Sequence, residues 1–131
     1  MSSEKKFAFA PQLYIPHGVE DVSFYVDGLG ARELRRFSND DGTVHVAEFL
    51  LGDQIFHLHE TSERINCLSP AEAKSSTVMI GLFVDDVDAV MQSAEKAGAK
   101  IINPAQDYDY GYRQGELVDP FGHLWLIEKS I

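Results

Sequence analysis

The sequence predicts an α+β fold built from two tandem βαβββ units. Both halves of the chain run in the same order, which is a strand, a helix, a Gly-Ala pair and three further strands. The matching pairs are Gly30-Ala31 and Gly98-Ala99, and each helix begins near a valine, Val19 or Val87. Because one order of elements recurs at a constant spacing, we interpret the chain as a duplicated unit.

The first unit begins with a strand at residues 7–15, whose large apolar side chains alternate with small and polar ones. Acidic residues among valines and aromatics predict a helix at 18–28, which glycine ends. Turn-forming Asn, Asp and Gly residues then separate three strands, at 31–38, 43–51 and 53–60.

The second unit follows a stretch without periodicity. An apolar run at 77–84 predicts a buried strand, and Asp86 opens an amphipathic helix that ends at Gly98. A tyrosine-rich loop interrupts the strands after this helix. Those strands are predicted at 100–103, 112–118 and 123–129.

We predict a single domain over residues 1–131, with modules at about 7–62 and 76–129 and a connector at 63–75. The chain is long enough to bury one core, and its hydrophobic fraction of 44% is ordinary for a globular protein.

Charge and cysteine content exclude several classes of partner. The formal net charge of -10 argues against nucleic acid and anionic membranes, which both require a basic surface. The chain has no apolar run long enough for a membrane span and no credible signal peptide. Its only cysteine, Cys67, forms no internal disulfide and no cysteine-based zinc site. We therefore expect a cytoplasmic protein.

Five motifs occur in an informative order: FY at 24–25, GLGA at 28–31, VDDVD at 84–88, GYRQG at 111–115 and DPFGHLW at 119–125. Together they resemble the glyoxalase/bleomycin resistance protein/dioxygenase group, the vicinal oxygen chelate superfamily. GYRQG before DPFGHLW resembles its PhnB-like branch in particular. The resemblance implies two βαβββ modules whose curved mixed sheet encloses a cup for a small molecule, usually in a dimer.

The resemblance also locates the positions at which metal-using members bind a divalent ion. They fall at Ala10, or Pro11 in an ungapped alignment, and at His57, Met79 and Leu126. Only His57 has a side chain that binds such ions. We therefore expect the usual metal site to be lost, and we assign no metal, no cofactor and no catalytic residue.

Eight residues are candidates for ligand contact: His57, His59, Tyr110, Tyr112, Arg113, Phe49, Met79 and Leu126. His57 and His59 share one face of a strand, where a polar cavity lining is the alternative to direct contact. The tyrosine loop offers aromatic faces and hydroxyl donors at a cup rim. Arg113 has the alternative of pairing with Asp109 or Glu116, and Phe49 that of ordinary core packing.

Two functions follow from the resemblance. The first is a homodimeric protein that binds a small organic molecule, neutral or cationic, in drug sequestration or antibiotic resistance. The alternative is a lyase, isomerase or dioxygenase with a relocated metal site, in which Glu128 is an available extra donor. A role in assembly with a partner protein is the third hypothesis, because a fold does not fix a function.

Overall fold

A computed structural model of the chain describes residues 7–131. None of the helices in this part is long and apolar enough to cross a membrane. A 3-10 turn (Glu63–Ile65) precedes the second helix. The regular elements in chain order are β1 (Gln12–Ile15), α1 (Phe24–Asp27), β2 (Arg32–Ser38), β3 (Val44–Leu51), β4 (Gln54–Glu60), α2 (Pro70–Ala73), β5 (Met79–Phe83), α3 (Val87–Lys96), β6 (Lys100–Tyr108), β7 (Tyr112–Val118) and β8 (Leu124–Ser130).

The strands form two mixed sheets of four strands each. The strand order is β1-β4-β3-β2 in sheet 1 and β5-β8-β7-β6 in sheet 2. The first strand of each sheet pairs in parallel with the last, and the other neighbours are antiparallel. The α+β class and the two βαβββ units are therefore confirmed.

The first strand is shorter than predicted, because it begins at Gln12 rather than at residue 7. Pro11 has no backbone N–H for a strand ladder, although its carbonyl accepts a bond of 2.9 Å from the backbone N–H of His57. Phe7 and Phe9 lie outside the strand, with 92% and 90% of their surface exposed.

The first helix is a single turn, Phe24–Asp27, and not the longer helix predicted at 18–28. The carbonyl of Val19 accepts a bond of 2.8 Å from the first residue of β3, which holds the chain in an extended path. The Asp21 carboxylate then accepts bonds from the backbone N–H and hydroxyl of Ser23. These local bonds compete with helix formation and delay its start.

The segment between β4 and β5 holds a short helix, α2, that the sequence does not predict. Ser69 and Glu72 form a reciprocal capping box at its start, and Pro70 occupies the first turn. These residues favour a helix N-terminus without any hydrophobic periodicity.

The tyrosine-rich segment predicted as a loop is a β-hairpin. β6 continues to Tyr108, beyond its predicted end at residue 103. Pro104 lies where the register between β6 and β7 shifts, which is where a sheet tolerates proline. Gly111 closes the turn with a φ of 97° and donates its N–H to the Tyr108 carbonyl at 3.1 Å.

Both sheets pack one face against a common core that also contains α1 and α3. Tyr25 of α1 lies at its centre. Its ring is 5.6 Å from that of Phe49 and 5.4 Å from that of Phe56 in sheet 1, and 6.2 Å from that of Trp125 in sheet 2. The opposite face of each sheet is left without a covering layer among residues 7–131.

A buried carboxylate, that of Asp119, joins the two halves. Its Oδ2 accepts bonds from the Tyr25 hydroxyl at 2.6 Å and the Trp125 Nε1–H at 3.0 Å. Its Oδ1 accepts bonds from the backbone N–H groups of Phe121 and His123 at 2.9 and 3.0 Å. Burial, reinforced by the adjacent Asp119, raises the pKa of Tyr25 well above its ordinary value, so the hydroxyl stays a donor.

Replacing Asp119 by asparagine should lower the free energy of unfolding by about 3 kcal/mol, since an amide cannot accept bonds from all four donors. Urea titration followed by circular dichroism measures the change. The control is Asp40→Asn in an exposed turn, which should shift stability by less than about 0.5 kcal/mol. Equal stabilities of the two variants would contradict the assignment.

Candidate functional site

The open face of sheet 1 carries a polar cluster, and strand alternation places it there. Leu13, Phe56 and Leu58 point into the core, so their neighbours in β1 and β4 point to the open face. Parallel pairing places Gln12 opposite His57 and Tyr14 opposite His59. The polar residues of this face are Gln12, Tyr14, Glu48, His57 and His59.

One hydrogen-bond network connects the two histidines. The Gln12 Oε1 atom lies 3.1 Å from Nδ1 of His57 and 2.7 Å from Nε2 of His59. Nε2 of His57 is 2.8 Å from a Glu48 oxygen, and Arg35 lies 3.3 Å from the other Glu48 oxygen. Since Gln12 Oε1 can only accept, both histidines direct an N–H toward it.

Charge and burial tune this network. Burial, followed by the charges of His57 and His45, lowers the pKa of His59 below its ordinary value. The hydrogen bond from His57 lowers the pKa of Glu48 and outweighs the opposing effect of partial burial, and Arg35 adds a smaller lowering. Near neutral pH, the face therefore presents a neutral imidazole at His59 and an ionised carboxylate at Glu48.

The first-strand residue beside His57 is Gln12, and not Ala10 or Pro11, which both precede β1. The structure therefore adds Gln12 to the residues of this face. The signal that would have found Gln12 is its place on the same face as Tyr14, with Pro11 marking the strand start.

In sheet 2, strand register places Leu126 opposite Gly81, and Met79 opposite Leu124. None of these four side chains donates an electron pair that binds a divalent ion well. Within residues 7–131, no group of three or more His, Cys, Asp or Glu side chains is arranged to hold a metal.

The open face of sheet 2 is aromatic and amphipathic. It carries three of the predicted ligand-contact residues, Met79, Tyr112 and Leu126. A fourth, Tyr110, lies in the hairpin turn at its margin. The rings of Tyr110 and Tyr112 are 6.1 Å apart at a near-perpendicular angle, and Tyr108 stacks on Tyr110 at 5.3 Å. The residues of this face include Met79, Gly81, Phe83, Tyr112, Gln114, Glu116, Leu124, Leu126 and Glu128.

Phe49 and Arg113 lie on the opposite faces of their strands. Phe49 has no exposed surface and stacks on Phe56 in the core. Arg113 extends toward α3. It forms one ion pair with Asp88 of α3 at 2.8 Å and another with Asp107 of β6 at 2.9 Å. These carboxylates raise the pKa of Arg113. We therefore propose the other six residues for ligand contact and expect Phe49 and Arg113 to support the fold behind them.

A groove of about 760 Å³ connects the two open faces. The outer strands of the two sheets, β1 and β5, contribute three lining residues each, and most of the others come from residues 9–11 and from the segment between β4 and β5. Gln12 and Tyr14 contribute from sheet 1, and Met79 and Gly81 from sheet 2. A cavity of this size and mixed lining suits a small organic molecule.

The family model described as the Glyoxalase/Bleomycin resistance protein/Dioxygenase superfamily matches residues 12–127. An uncharacterised protein of Mycobacterium bovis is 31% identical over 127 residues, which cover 95% of this chain and 84% of that protein.

Solved structures share the fold. TioX from a Micromonospora species has a TM-score of 0.71 and 26% identity, over 95% of this chain and 100% of that one. The fosfomycin resistance protein FosX of Mesorhizobium loti has a TM-score of 0.65 and 16% identity, over 97% of this chain and 95% of that one. At that identity the likeness to FosX shows the fold alone. Because the family match extends from β1 into β8, the chain belongs to the glyoxalase/bleomycin resistance protein/dioxygenase superfamily.

Proposed function

We propose that the protein binds a small organic molecule between its two open sheet faces and uses no divalent metal there. The observation that carries this proposal is that Met79 and Leu126, at the two sheet-2 positions where the resemblance places metal ligands, have side chains that bind divalent ions poorly. In sheet 1, one ring nitrogen of each of His57 and His59 is engaged with Gln12, and the other ring nitrogen of His57 is engaged with Glu48. The same face thus serves as a hydrogen-bonding wall.

The aromatic open face of sheet 2 and the net charge of -10 support a ligand that has an apolar body and is neutral or cationic. Sequestration of a drug, as a resistance protein would perform it, is the role we propose within the family. We also propose membership of the PhnB-like branch, because GYRQG spans the hairpin turn and the start of β7 and precedes the DPFGHLW motif by three residues. A cytoplasmic location agrees with the lone cysteine, which is free.

We further propose that the working form is a homodimer. Each open face carries exposed apolar side chains, among them Phe37 and Ile55 in sheet 1 and Met79 and Phe83 in sheet 2. Strands β1 and β5 each have one edge unpaired within residues 7–131. A second copy would cover apolar surface that is costly to leave in water, and it would close the cup.

Light scattering after gel filtration should give twice the mass of one chain at micromolar concentration. The reason is that the exposed apolar surface of both open faces favours association. A monomeric mass at concentrations up to about 100 μM would contradict the homodimer, because a stable interface of standard size dissociates well below that range.

Purified protein incubated with Zn²⁺, Ni²⁺ or Mn²⁺ and then desalted should retain well under about 0.2 equivalents of metal, since two imidazoles without further donors bind weakly. Elemental analysis by mass spectrometry gives the ratio. Near-stoichiometric metal that is lost in His57→Ala and kept in the control His45→Ala would overturn the metal-free assignment and favour the enzyme alternative.

Binding itself is tested by calorimetry with hits from a thermal-shift panel of amphipathic aromatic compounds. A saturable ligand should stabilise the protein, and His57→Ala should weaken binding about tenfold because a hydrogen-bonding wall is removed. The exposed His45→Ala variant serves as the control. A panel without any saturable ligand would contradict the proposal.

A further inference from the structure

A carboxylate is buried on the open face of sheet 2 without a cationic partner. Glu128 of β8 is only 7% exposed, although it lies on the face that does not pack against the core. Its Oε1 accepts a bond of 2.8 Å from Nε2 of Gln114. Within residues 7–131, it takes part in no ion pair, and its Oε2 accepts no hydrogen bond.

The cations nearest in the strands are committed elsewhere. Lys129 points to the other face and donates to the Asp85 carbonyl at 3.1 Å, and Arg113 is held by its two aspartates. A buried carboxylate without a counter-charge is costly to the fold. Its presence on an open face therefore points to a cationic group that does not belong to residues 7–131.

Gly81 keeps the free oxygen of Glu128 accessible. A Cβ atom at position 81 would lie 2.8 Å from Glu128 Oε2, so any larger residue would cover this oxygen or displace it. The backbone of Gly81 does not adopt a positive φ, so turn geometry does not require glycine here. Gly81 also lines the groove between β1 and β5, which gives a ligand a route to the carboxylate.

Aromatic rings surround the same point. Phe83 is the register partner of Glu128 in β5, and its ring is 5.9 Å from that of Tyr112 at an angle of 76°. Tyr110 donates its hydroxyl to Gln114, the residue that holds Glu128, and so joins this wall to the carboxylate. Phe83 and Tyr110 are 61% and 62% exposed, so their faces are free to contact a ligand.

We propose that Glu128 is the anchor for an organic ammonium group, which sits against the rings of Phe83 and Tyr112. This inference rests on the proposed small-molecule function and names the class of ligand. An alkylated ammonium is weakly hydrated and is attracted both by a carboxylate and by aromatic faces within about 6 Å. Ca²⁺ and Mg²⁺ instead require about six oxygen ligands, which one carboxylate and one amide do not supply.

The test uses two fluorescent dansyl amides that differ only in charge, one with a trimethylammonium end and the other with its tert-butyl isostere. Fluorescence titration gives the Kd of each probe for the wild-type protein, Glu128→Gln, Gly81→Ala and Glu116→Gln. Glutamine at 128 keeps the acceptor for Gln114. Glu116 is one row away on the same sheet face and is the matched control for a diffuse charge effect.

We expect the ammonium probe to bind the wild type at least about tenfold more tightly than the isostere does. Glu128→Gln and Gly81→Ala should remove this preference, and Glu116→Gln should retain it. The isostere should bind the wild type and Glu128→Gln with the same Kd. Circular dichroism of each variant verifies that the fold is intact.

Three results overturn the inference in distinguishable ways. If both probes bind the wild type equally and Glu128→Gln changes neither Kd, the small-molecule function stands and the ammonium anchor is wrong. If neither probe binds, then the anchor and the aromatic binding cup both fail. An equal loss in Glu116→Gln and Glu128→Gln would assign the preference to the net charge and not to Glu128.

Discussion

The Asp119 carboxylate is the interaction on which the arrangement of the two sheets depends. It accepts hydrogen bonds from Tyr25 in the first half of the chain and from Trp125 in the second. Each sheet is thereby fixed with one face toward the shared core. The other faces are left open, and the groove between β1 and β5 is lined by Gln12 and Tyr14 from the open face of sheet 1 and by Met79 and Gly81 from that of sheet 2.

The open faces of the two sheets differ in chemistry because side chains alternate in direction along each strand. Phe56 and Leu58 of β4 and Trp125 and Ile127 of β8 are buried in the core, so the residues next to them point to the open faces. In β4 those residues are His57 and His59, and in β8 they are Leu126 and Glu128. Strand β8 thus presents the apolar Leu126 at the position where the resemblance places a metal ligand, and the anionic Glu128 two residues later.

Much of the fold was predictable because its signals are local. Repeated Gly-Ala pairs, strand alternation and the DPFGHLW turn predict the two units, and Asp86 predicts the start of α3, where it accepts a bond from the Ala89 N–H at 3.0 Å. The short α1 was not predictable from periodicity, since long-range bonds to β3 hold the residues before it. Gln12 required knowledge of which residue of β1 pairs with His57. The burial of Glu128 depends on packing by side chains from β5, β7 and the hairpin turn, which no spacing in the sequence reveals.

We propose that the cup holds an organic cation over Glu128 and no metal at His57. A crystal structure grown with the dansyl trimethylammonium probe, recorded with anomalous data above the zinc edge, tests it most directly. The account predicts density for the ammonium group within about 4 Å of Glu128 Oε2, against Phe83 and Tyr112, and no anomalous peak beside His57 or His59. A metal peak between the histidines, or a probe bound away from Glu128, would contradict it.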